Sequence, residues 1–480
     1  MQTGGNLQVS GSFDQSGTGT ASFNSLTING NGTATNSVNK YSLAGTGTLT
    51  APTIALSGGT FTQTGGNLQV GTSFTQSGTG TASFNGLTIN GNGTATNSVN
   101  KYSLAGGVLT APTITLSGGT FSQYGGTLKV NTAFNQSGTS TSTFNTLTID
   151  GVGTTNNTVN SYSLSGGNLN ATTITNSGNF YQDAGTLTNT TFNQNTGGTH
   201  KVGASGTGTF SIAGVQTYNM NGGQLQAAEI TNSGNFNYTG GSLVNLTKFT
   251  NSGTSTYGTN GAGTLAIGSG QTYRNDGTVN AKTVNIGNGG VLQGNGTIGT
   301  QANLTTIANQ GAVNPGNLIG TLNVTGNYTQ TGNLNIEINN NNPTSGYDKL
   351  VITGNATLGG NLFVNLVAGY VINYLDQFTV MTFGSRTGTE TSFSNVVVDP
   401  KKGTYSNLGN IVLGGYTLLD KDGNQVVGTG ANNKPFTFDV KVAANSVTLT
   451  AVPIPATVWL LGIGLIGLVG VRRRLGITVG

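Results

Sequence analysis

The chain has 480 residues, of which 81 are glycine, none is cysteine and one is histidine, and only 6% are charged. The absence of cysteine excludes disulfides, thiolate chemistry and Cys-based zinc sites, and a single histidine excludes His-pair metal sites. Of the formal net charge of +4, three units belong to Arg472, Arg473 and Arg474, so the remainder carries no basic footprint for nucleic acid.

The first residues, MQTGGNLQVSGSF, lack the basic and apolar regions of a signal peptide. They match TQTGGNLQVGTSF, which begins at Thr62, so the sequence opens inside a repeat. The expectation is a fragment or a late start, with the export leader upstream. Phe13, Phe74, Phe134, Phe192 and Phe249 recur about every 60 residues, and Tyr41, Tyr102, Tyr162, Tyr218 and Tyr273 keep the same beat. Low charge and abundant glycine suit disorder, but here glycine alternates with Thr, Val, Ile, Leu, Phe and Tyr, which is strand chemistry. Short runs such as SLTI (25–28), TIAL (53–56) and FTQ (61–63) lie between or close to Gly, Asn and Ser, the turn formers. About three coils of roughly 20 residues per unit, with strands stacked at roughly 4.8 Å, make a parallel β-helix. Strands of three to five residues are too short for a row of β-sandwiches, and the beat is too long for propeller blades. The β-helix repeats are placed at 1–290. Asn and Thr in register along a coil corner are expected to form ladders. The recurring Phe and Tyr are read as core or surface ladder before sugar platform.

Segment 291–377 carries VLQGNGTIG, then Pro315-Gly316, Gly320-Thr321-Leu322, Tyr347-Asp348 and Leu358-Gly359-Gly360. This order resembles the C-terminal part of autotransporter passenger domains over about 80 residues. The resemblance implies a right-handed parallel β-helix on the cell exterior. No alternating ten-residue strands of a membrane barrel follow, so self-translocation is not implied. Residues 378–450 hold longer strands (FTVMTF, SNVVVD, FTFDVKV, SVTLTAV) and are read as terminal coils plus an antiparallel cap over the open strand edge. Asp420-Lys421-Asp422-Gly423 reads as a hairpin turn, because the further ligands of a calcium loop are missing.

The tail is of another kind. Val452, Pro453 and Pro455 precede an apolar run at 456–471 that contains Trp459 and ends on Arg472, Arg473 and Arg474. About 20 residues at about 1.5 Å each just cross a bilayer core, and the arginines favour the cytoplasmic side. Gly464, Gly467 and Gly470 form a small-residue face. The order Val-Pro-x-Pro, Trp, Gly-rich apolar helix, Arg cluster resembles a PEP-CTERM sorting signal over 452–474, with Ile454 in place of the name-giving Glu. The resemblance implies export in a Gram-negative cell and recognition by an exosortase, a membrane transpeptidase that cuts near Pro-x-Pro. It further implies transient inner-membrane anchoring, then residence at the cell surface, outer membrane or exopolysaccharide matrix.

Chemistry is sparse. From 1 to 290 the acids are Asp14, Asp150, Asp183, Glu229 and Asp276, none with an evident partner at coil spacing, whereas a glycan hydrolase needs paired carboxylates. His200, in GGTHKVG, is read as an exposed turn residue. Asp348 is assigned to the fold pattern. No glycine string has a phosphate-loop ending. The expectation is an all-β, exported, non-enzymatic structural protein or adhesin with no catalytic, cofactor or metal residues. Its partners would be exosortase and surface glycans. The alternatives are a β-helical polysaccharide lyase or hydrolase and a self-assembling filament.

Overall fold

A computed structural model describes residues 7–34, 37–95, 97–367, 370, 372–391, 393–399 and 435–453, with short strands at Tyr405–Asn407, Val412–Leu413, Tyr416–Thr417 and Val426–Thr429. These residues are strand, turn and loop apart from one 3-10 turn at Thr259–Gly261. The strands pair in long parallel sheets, the arrangement of a β-solenoid. The chain divides into two compact units, 1–246 and 247–480.

In the first unit each rung follows from alternation. Thr60–Gln63 reads TFTQ, with Phe61 and Gln63 buried and both threonines half-buried. Tyr41 pairs in parallel with Phe61, and Phe61 with Ala82, so the chain returns to the same face after about 20 residues. Parallel pairing needs such a crossover, and here the intervening strands Thr48–Leu56 and Asn67–Gln76, with their turns, supply it instead of a helix. Leu, Ile, Val, Phe and Tyr fill the interior, with Leu43, Ile54, Phe61, Val70 and Leu104 at 1% exposure or less.

Some coils are longer, and the reason is local. Residues 90–95 leave the wall, and the chain re-enters as Ser98–Val99, a rung of two residues. It pairs with Gln69 and Val70 on one side and with Thr88 and Ile89 on the other. Thr158–Val159 does the same between Val130 and Ile149. The loops turn on one side chain: Oδ1 of Asn29, Asn90 and Asp150 accepts the N–H of Gly32, Gly93 and Gly153 at 2.8, 2.9 and 2.6 Å. Gly93 has φ 62°, and a Cβ there would lie 1.9 Å from the Val70 carbonyl oxygen. Gly93→Ala is therefore expected to lose at least the roughly 1–3 kcal/mol of a left-handed non-glycine backbone. A urea midpoint equal to that of the parent would contradict this contact.

The second unit holds three parallel ladders. One runs through Lys248–Asn251, Thr272–Asn275, Val291–Gly294, Ala312–Pro315, Asn333–Ile338, Asn361–Leu366 and Asn395–Asp399. The second starts at Thr264–Ile267 and ends at Ser385–Thr391. The third runs from Thr254–Tyr257 to Gln377–Thr382. There the direction changes. Gln377–Thr382 pairs antiparallel with Ser446–Pro453, which pairs antiparallel with Pro435–Val442. Phe378 meets Tyr347 and Phe438 edge-on at 5.3 and 6.0 Å, closing the apolar interior beneath this hairpin. Among the described residues no helix is long and apolar enough to cross a membrane. The apolar run at 456–471 lies outside them, as does the Asp420–Gly423 turn.

Candidate functional site

The recurring aromatics are core. Phe13 stacks on Tyr41, Phe74 on Tyr102, Phe134 on Tyr162, Phe192 on Tyr218 and Phe249 on Tyr273, with ring centroids 4.8–5.1 Å apart. All but Phe13 are buried, so their ring faces are spent on one another and not on sugars. A buried phenol needs a partner, and the rung below provides it. Tyr41, Tyr102 and Tyr162 donate to Oε1 of Gln15, Gln76 and Gln136 at 2.7, 2.6 and 2.5 Å. Gln76 is buried and donates in turn to the carbonyls of Gly80 and Val108. This interior glutamine column is absent from a reading that places amides outside. The signal for it was the triplet Phe-x-Gln at 61–63, 74–76, 121–123 and 134–136.

His200 corrects the sequence expectation. It is not an exposed turn residue but the second residue of strand Thr199–Val202, fully buried. The alternation of Thr-His-Lys-Val outweighs the flanking glycines and turns the imidazole inward. It stacks on Phe192 at 4.8 Å and meets Phe210 edge-on at 4.9 Å. Nδ1 lies 3.2 Å from the Tyr218 hydroxyl and Nε2 3.3 Å from Gln182 Oε1. Burial pushes its pKa down to about 3. The unfolded ring, near 6.5, therefore takes up a proton first as pH falls. The contribution of His200 to stability is complete above about pH 6.5 and shrinks toward pH 3, by up to about 1.4 kcal/mol per pH unit. The melting temperature of the parent, relative to His200→Phe, is expected to drop between pH 7 and pH 4. Parallel curves for the two proteins would refute a neutral buried ring.

The acids serve the backbone. Asp150 is drawn below its usual pKa: burial acts upward, but the Gly153 and Val152 N–H groups and the Thr155 and Thr158 hydroxyls outweigh it. Asp276 pairs with Arg274 at 2.5 Å. Asp348 is buried and ties two stretches of chain, its carboxylate accepting the N–H of Gly320 and of Glu337, both at 2.8 Å. Burial raises it to about 8 against the pull of those donors. Among the described residues no three acids or histidines are grouped to hold a metal ion. Beside Asp348 lies an open cleft of about 220 Å³, lined by Gln293, Asn314, Asn335, Glu337 and Asn365 among others. Sequence reading missed it, because its residues come from four separate coils.

The sorting residues begin inside the sheet. Val452 and Pro453 end the last strand, opposite Thr437 and Phe436. Ala451 is buried, its N–H bound to the Asp376 carbonyl and its carbonyl to the Leu375 N–H. Pro455, Trp459, Arg472, Arg473 and Arg474 lie outside the described residues. Comparison with curated proteins gives no match. Residues 451–474 match the family model of the PEP-CTERM protein-sorting motif. The chain therefore carries a PEP-CTERM sorting signal, the mark of a protein that is exported and sorted through exosortase.

Proposed function

We propose that this chain is a non-enzymatic scaffold or adhesin of the cell surface or extracellular matrix. The observation that carries the reading is the division of labour within each rung. Apolar and aromatic side chains are consumed inside, and the outside repeats neutral hydroxyls and amides. Asn219 donates to Asn193 at 2.8 Å and Asn237 to Asn219 at 2.9 Å, an amide row climbing from rung to rung. Thr146 and Thr148 lie over Thr173 and Thr175 on the neighbouring strand. Many equivalent weak sites add avidity without one deep pocket, which suits contact with repetitive surface glycans. The coil sense is right-handed, as nearly all parallel crossovers are.

Antibody labelling of intact cells tests the location. Label is expected on wild-type cells and lost in a strain lacking exosortase; equal labelling of both would overturn the sorting route. Incubation of the purified chain with polysaccharides tests the rest. No new reducing ends or unsaturated ends are expected, and their appearance would make it an enzyme.

A further inference from the structure

The cleft beside Asp348 has features that the repetitive wall lacks. Its floor is a row of amides on successive rungs: Gln293 pairs with Asn314, and Asn335 donates to Asn314 at 2.6 Å. Glu337 lies two residues beyond Asn335 on the same strand and is paired with Asn365 on the next rung. All five are half-buried, with side chains on the outer side of their strands. The rim is a loop fixed at both ends. Gly316 exchanges two backbone hydrogen bonds with Gly294, at 2.9 and 3.0 Å, and the Gly320 N–H is held by Asp348. Between them Leu318 sits at φ 93° and is 81% exposed. A leucine in that conformation costs about 1–3 kcal/mol, a strain that structures retain mostly at working sites.

We propose that this cleft binds a neutral glycan, with the Gln293–Asn314–Asn335 row and Glu337 taking its hydroxyls and Leu318 covering a sugar face. Sugar hydroxyls both donate and accept, and so do amides, while a carboxylate accepts two such bonds strongly. Rungs stand about 4.8 Å apart, comparable to the rise of one sugar unit in an extended chain, so repeating ligand meets repeating wall. The volume of about 220 Å³ lies below the roughly 300–1,000 Å³ of drug-sized pockets, which suits a ring or two and not a large cofactor. An acidic glycan is disfavoured. Among the described residues no lysine or arginine lines the cleft, Glu337 repels anions, and Arg274 on the rung below Gln293 is neutralised by Asp276. The proposal rests on the reading of the protein as an exterior scaffold and supplies its ligand class.

The test uses the purified full chain in a sugar-free detergent, with fluorescent maltotriose, cellotriose and mannotriose as neutral probes and trigalacturonate as the acidic one. At least one neutral trisaccharide is expected to bind saturably and trigalacturonate not to bind. Glu337→Gln, nearly isosteric, is expected to weaken binding about tenfold through loss of charge-assisted bonds. Asn335→Ala should weaken it too, with both melting temperatures near that of the parent. If either variant is unfolded, Leu318→Gly, at an exposed and strained position, takes its place and is expected to weaken binding. Failure of all three neutral probes, equal binding of trigalacturonate, or binding indifferent to the folded variants would overturn the proposal. Such a failure leaves the surface reading standing, because cell labelling tests that separately.

Discussion

Phe134→Ala is expected to destabilise the first unit by about 3–5 kcal/mol, the usual loss for a buried phenyl ring. Phe134 stacks on Tyr162 at 4.9 Å and meets Phe121 and Phe144 at 5.3 and 5.8 Å. Removing it strips contacts from several rungs at once, and an offset ring pair adds about 0.5–1.5 kcal/mol beyond area. Thr143→Ala, half-buried on the outer row, is expected to change stability by less than about 0.5 kcal/mol. Gln136→Leu should fall between, at about 1–3 kcal/mol, since it removes the buried Oε1 that accepts from both the Tyr162 and Ser142 hydroxyls, leaving those two only each other, and removes the Nε2 bond to the Asn168 carbonyl. In a solenoid each coil contacts only its neighbours, so loss spreads locally. Hydrogen exchange in Phe134→Ala should quicken in Thr127–Gln136, Thr141–Ile149 and Ser161–Asn176 and stay unchanged in Asn333–Ile338. Uniform quickening throughout would mean one cooperative core instead of stacked rungs.

Those rungs were legible because their pattern is local. In TFTQ or YSL the alternation of apolar and polar residues fixes which side faces in, and the long repeat fixes which strands are equivalent. Two things were hidden. Polar residues at inward positions look like errors of pattern until their partners are seen: Gln76 beneath Tyr102, or Asn309 donating to Gln330 and to the Tyr328 hydroxyl. His200 belongs to the same class, and its flanking glycines pulled the reading toward a turn. The second hidden feature is non-local pairing. Ser98–Val99 has no strand signature of its own, since two residues cannot alternate, and its existence depends on the edges of Val70 and Ile89 lying on either side. The cleft was invisible for the same reason, because Gln293, Asn314, Asn335 and Glu337 become neighbours only when coils stack. The tail was the reverse case. Its meaning is carried by order along the chain and needs no fold to be read.

Replacing Arg472, Arg473 and Arg474 together by Asn is expected to reduce surface display to the level of a strain without exosortase. If the apolar run at 456–471 spans the inner membrane as the sequence leads one to expect, the three arginines that follow it would set which side that end occupies. Replacement by Lys separates topology from recognition. Lysine restores the positive flank, so display should recover if charge alone matters. Loss with Lys as well would assign recognition to the planar guanidinium, which lysine does not imitate. Processing near Pro-x-Pro fits the architecture upstream. A cut after Pro453 leaves Ser446–Pro453 whole, still bonded to Pro435–Val442 and to Gln377–Thr382. The released chain then keeps its antiparallel cap and exposes no fresh parallel edge for aggregation. Moving the signal upstream by deleting 446–450 should therefore yield a protein that is still sorted but aggregates once free. Full display of the Asn variant would show that the tail is not the sorting device.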